Sequence, residues 1–381
     1  MAVDVSAMNA AVGAMEGRLR ERLQELVEVE SPSEDKAAVD RAGALVLEWA
    51  AELGATVKRH KQKGYGDVLE LRFGRVQRGR GRVLLLGHLD TVWSMGTLKT
   101  MPYIDCGDGK LCGPGVVDMK AGVVMALEAV AALQQLGAER AVTLLLNSEE
   151  EIGSPISRAI TEKLALGCSA VFVLEPAQGL AYKTARKGVA HFALRVEGVA
   201  SHAGVDFGTG HSAVLEMARL IEVVSGFTDL KKGRTVNVGV VHGGTRSNVV
   251  AAECTAEVDV RVVTARDAAA VEKLFAKLKT ADKACRLTVS GGFNRPPMER
   301  KPGTVKLYRQ ARALAAQMGF VLDEASTGGG SDGNFTAALG VPTLDGMGAV
   351  GGGAHAAHEH VVAAHLVQRT ALLAAMIASA E

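Results

Sequence analysis

A short apolar segment at residues 142–146 is followed almost at once by three adjacent carboxylates, Glu149, Glu150 and Glu151. A bounded, leucine-rich run of this length is typical of a buried strand in an α/β sheet. Open α/β sheets carry functional groups at the carboxyl ends of their strands, so these glutamates stand where chemistry is usually found. The same residues would also suit a solvated turn or the acidic first turn of a helix. This pattern alone leaves both interpretations open.

Length and composition place the chain among ordinary globular proteins. Its 381 residues are 48% hydrophobic and 22% charged, which suits two domains of about 150 residues or more each. The net charge of +1 gives no electrostatic case for nucleic acid or for an anionic membrane as a partner. No segment approaches the ~20 apolar residues that are needed to span a bilayer. We therefore predict neither a nucleic-acid partner nor a membrane partner.

The cysteines indicate a reducing compartment. No two of them form a CxxC pair, and an odd number fits the cytosol better than a disulfide framework does. Residues 1–20 lack the basic and apolar regions of a secretory signal. We therefore expect a cytoplasmic protein. The five cysteines are Cys106, Cys112, Cys168, Cys254 and Cys285.

The hydrophobic pattern changes in the middle of the chain. Residues 189–197, 235–241 and 256–263 alternate between apolar and polar side chains, which predicts an antiparallel sheet with one solvated face. Strands before this region are continuous apolar runs instead. We therefore predict an inserted α+β domain at residues 186–295, with residues 1–185 and 296–381 forming one α/β domain around it.

Side chains that bind metals follow five separate predicted strands or loops. Histidine, aspartate and glutamate are the ligands that a zinc site of nitrogen and oxygen donors requires. Several carboxylates in one cleft repel each other, and two divalent cations that share one carboxylate would neutralise them. The residues are His88 with Asp90, then Asp118, Glu149–Glu151, Glu175, and a last group of His355, His358 and His360. Asp90 is placed to accept a hydrogen bond from the His88 ring and orient it.

Six short motifs resemble those of the aminoacylase / carboxypeptidase G metallopeptidases, and the glutamate carboxypeptidase group is the most similar. They occur in the family's order over nearly the whole chain. The resemblance implies a mixed-sheet, zinc-exopeptidase-like catalytic domain, and an inserted ferredoxin-like dimerisation domain at 186–295. The motifs are 87–91 (GHLDT), 113–120 (GPGVVDMK), 149–153 (EEEIG), 175–176 (EP), 201–204 (SHAG) and 353–355 (GAH).

The same resemblance implies two zinc ions, for which cobalt or manganese could substitute. It makes Asp118 the carboxylate that bridges both metals. His88 and Glu175 would complete one metal site, and Glu151 and His355 the other. It also makes Glu150 the general base and Asp90 the residue behind His88. The GAHxxxE pattern favours His355 over His358 and His360 as the ligand.

In the insert, the resemblance assigns His202 to the oxyanion in the active site of a partner subunit, so it implies a homodimer. Asn248, Arg261 and the backbone of Gly329 would hold the carboxylate of the substrate. The implied activity is hydrolysis of N-acyl amino acids or peptides with release of a C-terminal amino acid. One alternative is an N-acetyl or N-succinyl amino-acid deacylase of biosynthesis. Another, from a different class, is a catalytically silent binding protein on the same scaffold.

Overall fold

The protein is described here by a computed structural model that covers residues 4–76 and 80–380. The helices are α1 (Val5–Gly13), α2 (Glu16–Glu28), α3 (Lys36–Glu52), α4 (Ala121–Gln135), α5 (Ser157–Ala165), α6 (Ala213–Ser225), α7 (Ala265–Ala276), α8 (Pro302–Gln317), α9 (Gly333–Ala338) and α10 (Leu366–Ser379). The strands are β1 (Thr56–His60), β2 (Val68–Phe73), β3 (Arg82–His88), β4 (Ile104–Gly107), β5 (Lys110–Cys112), β6 (Val142–Asn147), β7 (Cys168–Val173), β8 (Ala181–Arg186), β9 (Gly188–Glu197), β10 (Thr235–Gly243), β11 (Glu253–Val262), β12 (Arg286–Arg295), β13 (Asp323–Thr327), β14 (Thr343–Leu344), β15 (Gly351–Gly352) and β16 (His360–Val362).

The chain forms two compact units. The first contains the described residues of Met1–Ala185, Arg300–Ser326 and Ser331–Glu381. The second contains Arg186–Glu299 together with the short segment Thr327–Gly330, which is distant in sequence. Each unit has its own hydrophobic core.

The first unit is built on a mixed sheet, and this confirms the predicted α/β fold class. Its strand order is β1-β2-β6-β3-β7-β14. Strand β3 pairs in parallel with both β6 and β7, while β2 pairs with β6 in antiparallel fashion. All six side chains of β6 are buried, which is the physical reason for its continuous apolar sequence. In the β3–β6 register His88 lies opposite Asn147, so His88 reaches the sheet edge where the acidic run begins.

Helices α4 and α10 supply much of the core of this unit. Every residue of α4 from Ala121 to Leu133 is buried, and α10 is buried from Arg369 to Ala378. One buried carboxylate on α4, Glu128, forms ion pairs with Arg18 at 2.5 Å and Arg22 at 2.9 Å on α2. Within the described residues, no helix is both long and apolar enough to cross a membrane.

A small sheet of order β15-β16-β5-β4 corrects the expectation about the cysteines. Cys106 on β4 and Cys112 on β5 form a disulfide, with their Cα atoms 6.0 Å apart. A hairpin with antiparallel pairing between β4 and β5 brings together two cysteines whose sequence spacing gives no signal. Cys168, Cys254 and Cys285 are free thiols. The cytoplasmic location stays a prediction.

The second unit is an antiparallel sheet of order β10-β11-β9-β12. Burial alternates along β9, and every second side chain from Phe192 to Val196 enters the core. Helices α6 and α7 contribute Met217 and Phe275 to the same core. Strand β10 forms one edge of this sheet, because within the described chain it pairs with β11 on one side and with no strand on the other.

Candidate metal centre

The predicted ligands of the first unit come from the carboxyl ends of neighbouring parallel strands and from two further loops. His88 is the last residue of β3, and Glu175 follows β7 by two residues. Glu150 and Glu151 lie in a single 3-10 turn after β6. Asp118 lies in the turn that precedes α4, and His355 lies in the loop between β15 and β16. Parallel pairing therefore gathers residues that are far apart in sequence.

Asp118 lies between two histidines. Its Oδ1 is 3.4 Å from Nε2 of His88, and its Oδ2 is 3.5 Å from Nε2 of His355. His88 Nε2 is also 3.7 Å from Oε1 of Glu175, while His355 Nε2 is 3.2 Å from Oε2 of Glu151. One carboxylate thus presents one oxygen to each side of the cluster.

Two sets of three donors are close enough to share an ion. Potential ligand atoms of His88, Asp118 and Glu151 lie within 4.8 Å of one another, and so do those of His88, Glu150 and Glu175. Glu150, which the family resemblance makes the general base, therefore lies as near the cluster as the predicted ligands do. His355 belongs with them through its contacts to Asp118 and Glu151.

Unsatisfied atoms support a metal at this place. Nε2 of His88, Oδ1 of Asp118 and Oε1 of Glu151 are buried and have no hydrogen-bond partner in the described part of the chain. A buried polar atom without a partner is costly, and a divalent cation would satisfy all three. Imidazole nitrogen and carboxylate oxygen, without cysteine, are the donors of catalytic zinc sites. The residues present therefore fit the group.

Electrostatic coupling within the cluster is strong. Burial alone would raise the pKa of Asp118, but the adjacent His355 and His88 hold that pKa well below its usual range. The carboxylates of Asp118 and Glu151 raise the pKa of His355 to about 10. Burial opposes the charged form of His88, but the carboxylates of Asp118, Asp90 and Glu150 together outweigh burial and raise the pKa of His88. These carboxylates favour positive charge at the centre, and a bound cation would take the place of the protons.

Asp90 has more partners than the sequence suggests. Nδ1 of His88 is 2.9 Å from the backbone carbonyl oxygen of Asp90 and 3.4 Å from its Oδ1. The carboxylate also accepts hydrogen bonds from the backbone N–H groups of Glu150 and Glu151, both at 3.1 Å, and from Oγ of Ser33 at 2.7 Å. Asp90 therefore holds the acidic turn with its side chain and the His88 ring with its main chain.

The three adjacent glutamates have separate surroundings. Glu149 is fully buried, and its carboxylate accepts hydrogen bonds from the backbone N–H groups of Ile156 and Ser157 and from Oγ of Ser148. It caps the chain that enters α5 and takes no part in the donor sets.

Ser33, whose hydroxyl donates to Asp90, was not predicted as a site residue. A single serine in a loop carries no pattern that the sequence could reveal.

The loop of His355 separates it from the neighbouring histidines. His355 adopts a left-handed backbone with φ of 62°, which a residue other than glycine seldom does. Nδ1 of His360 donates a hydrogen bond to the carbonyl oxygen of His358 at 2.9 Å. Of the three histidines, His355 is the one within 4 Å of Asp118 and Glu151 in the described chain.

The predicted site residues of the second unit form two local groups. His202 and Val249 form an isolated β-bridge, and the N–H of Ala203 donates to the carbonyl of Asn248 at 3.0 Å. Arg261 makes a bidentate contact with Asp259, and its Nη1 is 3.4 Å from the carbonyl of Gly328. Gly329 is exposed, and its carbonyl is 3.4 Å from Nη1 of Arg186.

Comparisons with known proteins point to one family. Residues 84–379 match the model of peptidase family M20/M25/M40. The chain is 30% identical over 369 residues to carboxypeptidase G2 of Pseudomonas sp. (strain RS-16). The aligned region covers 93% of this chain and 87% of that protein.

Solved structures show the same fold. The aminopeptidase PepT of Bacillus cereus ATCC 10987 aligns with a TM-score of 0.81 at 23% identity and covers 95% of this chain and 98% of its own. The M20 family metallo-carboxypeptidase Sso-CP2 of Sulfolobus solfataricus aligns with a TM-score of 0.73 at 18% identity and covers 94% and 98%.

The family match and the cluster of histidine and carboxylate donors define a metal-dependent hydrolase. More particularly, the chain belongs to peptidase family M20/M25/M40 and is a hydrolytic metallopeptidase of that family.

His355 and His358 offer a matched test of the ligand assignment, because they lie three residues apart in one loop. The family resemblance implies two metals, of which one depends on His355, so replacing His355 by Ala should lower the bound divalent metal to about half of the wild-type amount. The His358→Ala protein should keep its metal. Metal analysis after gel filtration measures both, and equal metal contents would contradict the assignment.

Proposed function

We propose that this protein is a dizinc carboxypeptidase that hydrolyses the amide bond of N-acyl amino acids or peptides and releases a C-terminal amino acid of the glutamate type. The observation that carries the proposal is the position of Asp118, with one oxygen towards His88 and the other towards His355. The similarity to carboxypeptidase G2 supports the glutamate-type preference.

The ligand assignment follows the two sides of Asp118. Asp118 would contribute to both metal sites, His88 and Glu175 would complete one of them, and Glu151 and His355 would complete the other. Two zinc ions, or cobalt or manganese in their place, would polarise the scissile carbonyl and lower the pKa of a water between them. The buried face of His88 excludes solvent, since this residue is 1% exposed.

Glu150 acts as the general base in this proposal. Its backbone N–H is fixed by the carboxylate of Asp90 at 3.1 Å, and its carboxylate lies within 4.8 Å of the nearest donor atoms of His88 and Glu175. A carboxylate at this distance can take a proton from the attacking water and pass it to the leaving amine. Neighbouring side chains of a turn point in different directions, so Glu151 can bind metal while the adjacent Glu150 acts as the base.

His202 stabilises the oxyanion from a second subunit. Its Nδ1 accepts hydrogen bonds from the backbone N–H groups of Gly204 and Val205, both at 3.1 Å. In the neutral ring this arrangement leaves the proton on Nε2. His202 can then donate a hydrogen bond from Nε2, which is what a developing oxyanion needs.

A homodimer is part of the proposal. Strand β10 forms an edge of the sheet in the second unit, and Val240 and Val241 on it are 38% and 45% exposed. Leu215 and Val223 on α6 are also more than half exposed. Exposed apolar side chains beside an unpaired edge strand are typical of a surface that pairs with another chain.

Asn248, Arg261 and the backbone of Gly329 bind the terminal carboxylate of the substrate in this proposal. Arg261 already makes a bidentate contact with Asp259, so its Nη1, which has only the 3.4 Å contact with Gly328, is the better placed nitrogen. A guanidinium is suited to a carboxylate because its N–H donors form a planar fork.

The exchange of Glu150 for Gln separates the base from the ligands. This variant should keep its metal and lose about two to four orders of magnitude in turnover. The neighbouring Glu151→Gln variant should lose metal as well as activity. Metal analysis and steady-state kinetics of both proteins check this, and loss of metal from the Glu150→Gln protein would reverse the two assignments.

A substrate panel tests the activity itself. Peptides and N-acyl amino acids that end in glutamate should be hydrolysed faster than those with other C-terminal residues, and a chelator should abolish turnover, because the carbonyl would lose its Lewis acid. The Glu150→Gln protein, prepared identically, controls for contaminating hydrolases. Faster cleavage of N-acetyl or N-succinyl amino acids without this preference would favour the biosynthetic deacylase. Complete absence of chelator-sensitive turnover would favour the silent binding protein.

Mixed dimers test whether His202 serves a second subunit. Chains carrying His202→Ala and chains carrying Glu150→Gln should each be impaired alone. After free subunit exchange of a 1:1 mixture, about half of the dimers are mixed and hold one intact site, so about a quarter of wild-type activity should return. An activity no greater than the mean of the separate proteins would show that His202 does not act across subunits.

A further inference from the structure

Glu359 is a fully buried carboxylate outside the proposed ligand set. Its Oε2 accepts hydrogen bonds from Nε1 of Trp93 at 2.8 Å and from the backbone N–H of Gly115 at 2.9 Å. Its Oε1 accepts from the backbone N–H groups of Val117 at 2.9 Å and Asp118 at 3.1 Å. Both oxygens are thus used twice, and three of the four donors belong to the backbone of one loop.

That loop is the one that carries Asp118. A run of backbone N–H groups turned towards one carboxylate fixes the path of the chain, because each group would otherwise be buried without a partner. Gly115 has a left-handed φ of 70°, and a side chain at this position would come within 2.6 Å of Thr91. The loop therefore has little freedom to place Asp118 elsewhere while Glu359 accepts from it.

Glu359 also belongs to the segment that carries His355. Its N–H donates to the carbonyl of Ala356 at 2.9 Å, and its own carbonyl accepts from the N–H of Gly113. The next residue begins β16, which pairs with β5 immediately before the Asp118 loop. Glu359 therefore joins the Asp118 loop to the His355 loop through both its side chain and its backbone. The side chains of these two loops meet where Nε2 of His355 lies 3.5 Å from Oδ2 of Asp118.

We propose that Glu359 is a positioning residue that sets the spacing between Asp118 and His355 and so determines the affinity of the centre for divalent metal. This inference rests on the proposed metal centre. Groups that hold metal ligands in place typically change metal affinity by about 10- to 100-fold when they are removed. Glu359 would act on the ligands through their backbone, without touching metal or substrate.

The informative variant is Glu359→Gln, which keeps the size of the side chain. An amide has one accepting oxygen, and its NH₂ group would face either the pair Trp93 and Gly115 or the pair Val117 and Asp118, all of which are donors. The metal-free protein is titrated with Zn²⁺ against a chromophoric chelator of known affinity. We expect the affinity to fall about 10- to 100-fold, with the same number of ions bound at saturation.

Glu128→Gln provides the matched control for lost stability. Glu128 is also fully buried and charged, but its partners are Arg18 and Arg22 rather than a loop of the centre. It should lower the Tm while leaving the Zn²⁺ affinity within about twofold of wild type, because distant, independent sites act separately. Circular dichroism confirms that each variant is folded at the temperature of the titration.

Trp93→Phe is the second variant, since it removes one donor and leaves the buried carboxylate in place. Its Zn²⁺ affinity should fall between those of the wild type and Glu359→Gln, and it decides the matter if Glu359→Gln does not fold. A wild-type Zn²⁺ affinity in Glu359→Gln would overturn the positioning role of Glu359 but not the metal centre. If Glu359→Gln does not fold, a wild-type Zn²⁺ affinity in Trp93→Phe would have the same consequence. An equal loss in Glu128→Gln would reduce the effect to stability and overturn it too. A wild-type chain that binds no Zn²⁺ would remove the centre and this inference together.

Discussion

The candidate site depends on the parallel pairing of β3 with β6 on one side and β7 on the other. Because parallel strands end at the same edge of a sheet, this pairing places His88, the acidic turn and Glu175 together although they are spread over nearly ninety residues. The pairing is stable because these strands are buried almost throughout. Burial also removes water from the edge, which strengthens the electrostatic interactions that the ligands make with each other.

The carboxylates at this edge of the sheet have different partners, which reduces the repulsion between them. Asp118 lies between two histidines, Asp90 accepts from the backbone of the acidic turn, and Glu149 accepts from the start of α5. Unpaired anions at this density would repel each other. Dividing the donors among them gives each carboxylate its own hydrogen bonds or ion pairs, and it leaves the ligand atoms of His88, Asp118 and Glu151 for a cation. The three adjacent glutamates are therefore not interchangeable.

The sequence was sufficient to predict the features that depend on residue type and local order. Continuous apolar runs predicted the α/β sheet, and metal-binding residue types at strand ends predicted the cluster around His88 and Asp118. The sequence was not sufficient to predict contacts that depend on the three-dimensional fold. Cys106 and Cys112 meet through a hairpin, and the contact of His88 with the carbonyl of Asp90, beside its contact with the carboxylate, has no signal in the sequence. Ser33 had no signal at all, since its hydroxyl matters only through the partner that folding supplies.

Backbone N–H groups explain why positioning residues are harder to read from sequence than ligands. A metal ligand must be one of a few residue types, so His355 and Glu151 are visible as candidates. The groups that Asp90 and Glu359 hold are main-chain donors, which every residue except proline possesses. Each of these two carboxylates accepts from the backbone beside a ligand, Glu151 in one case and Asp118 in the other. The two loops are therefore ordered by folding before any metal binds, and metal binding has less ordering entropy to overcome.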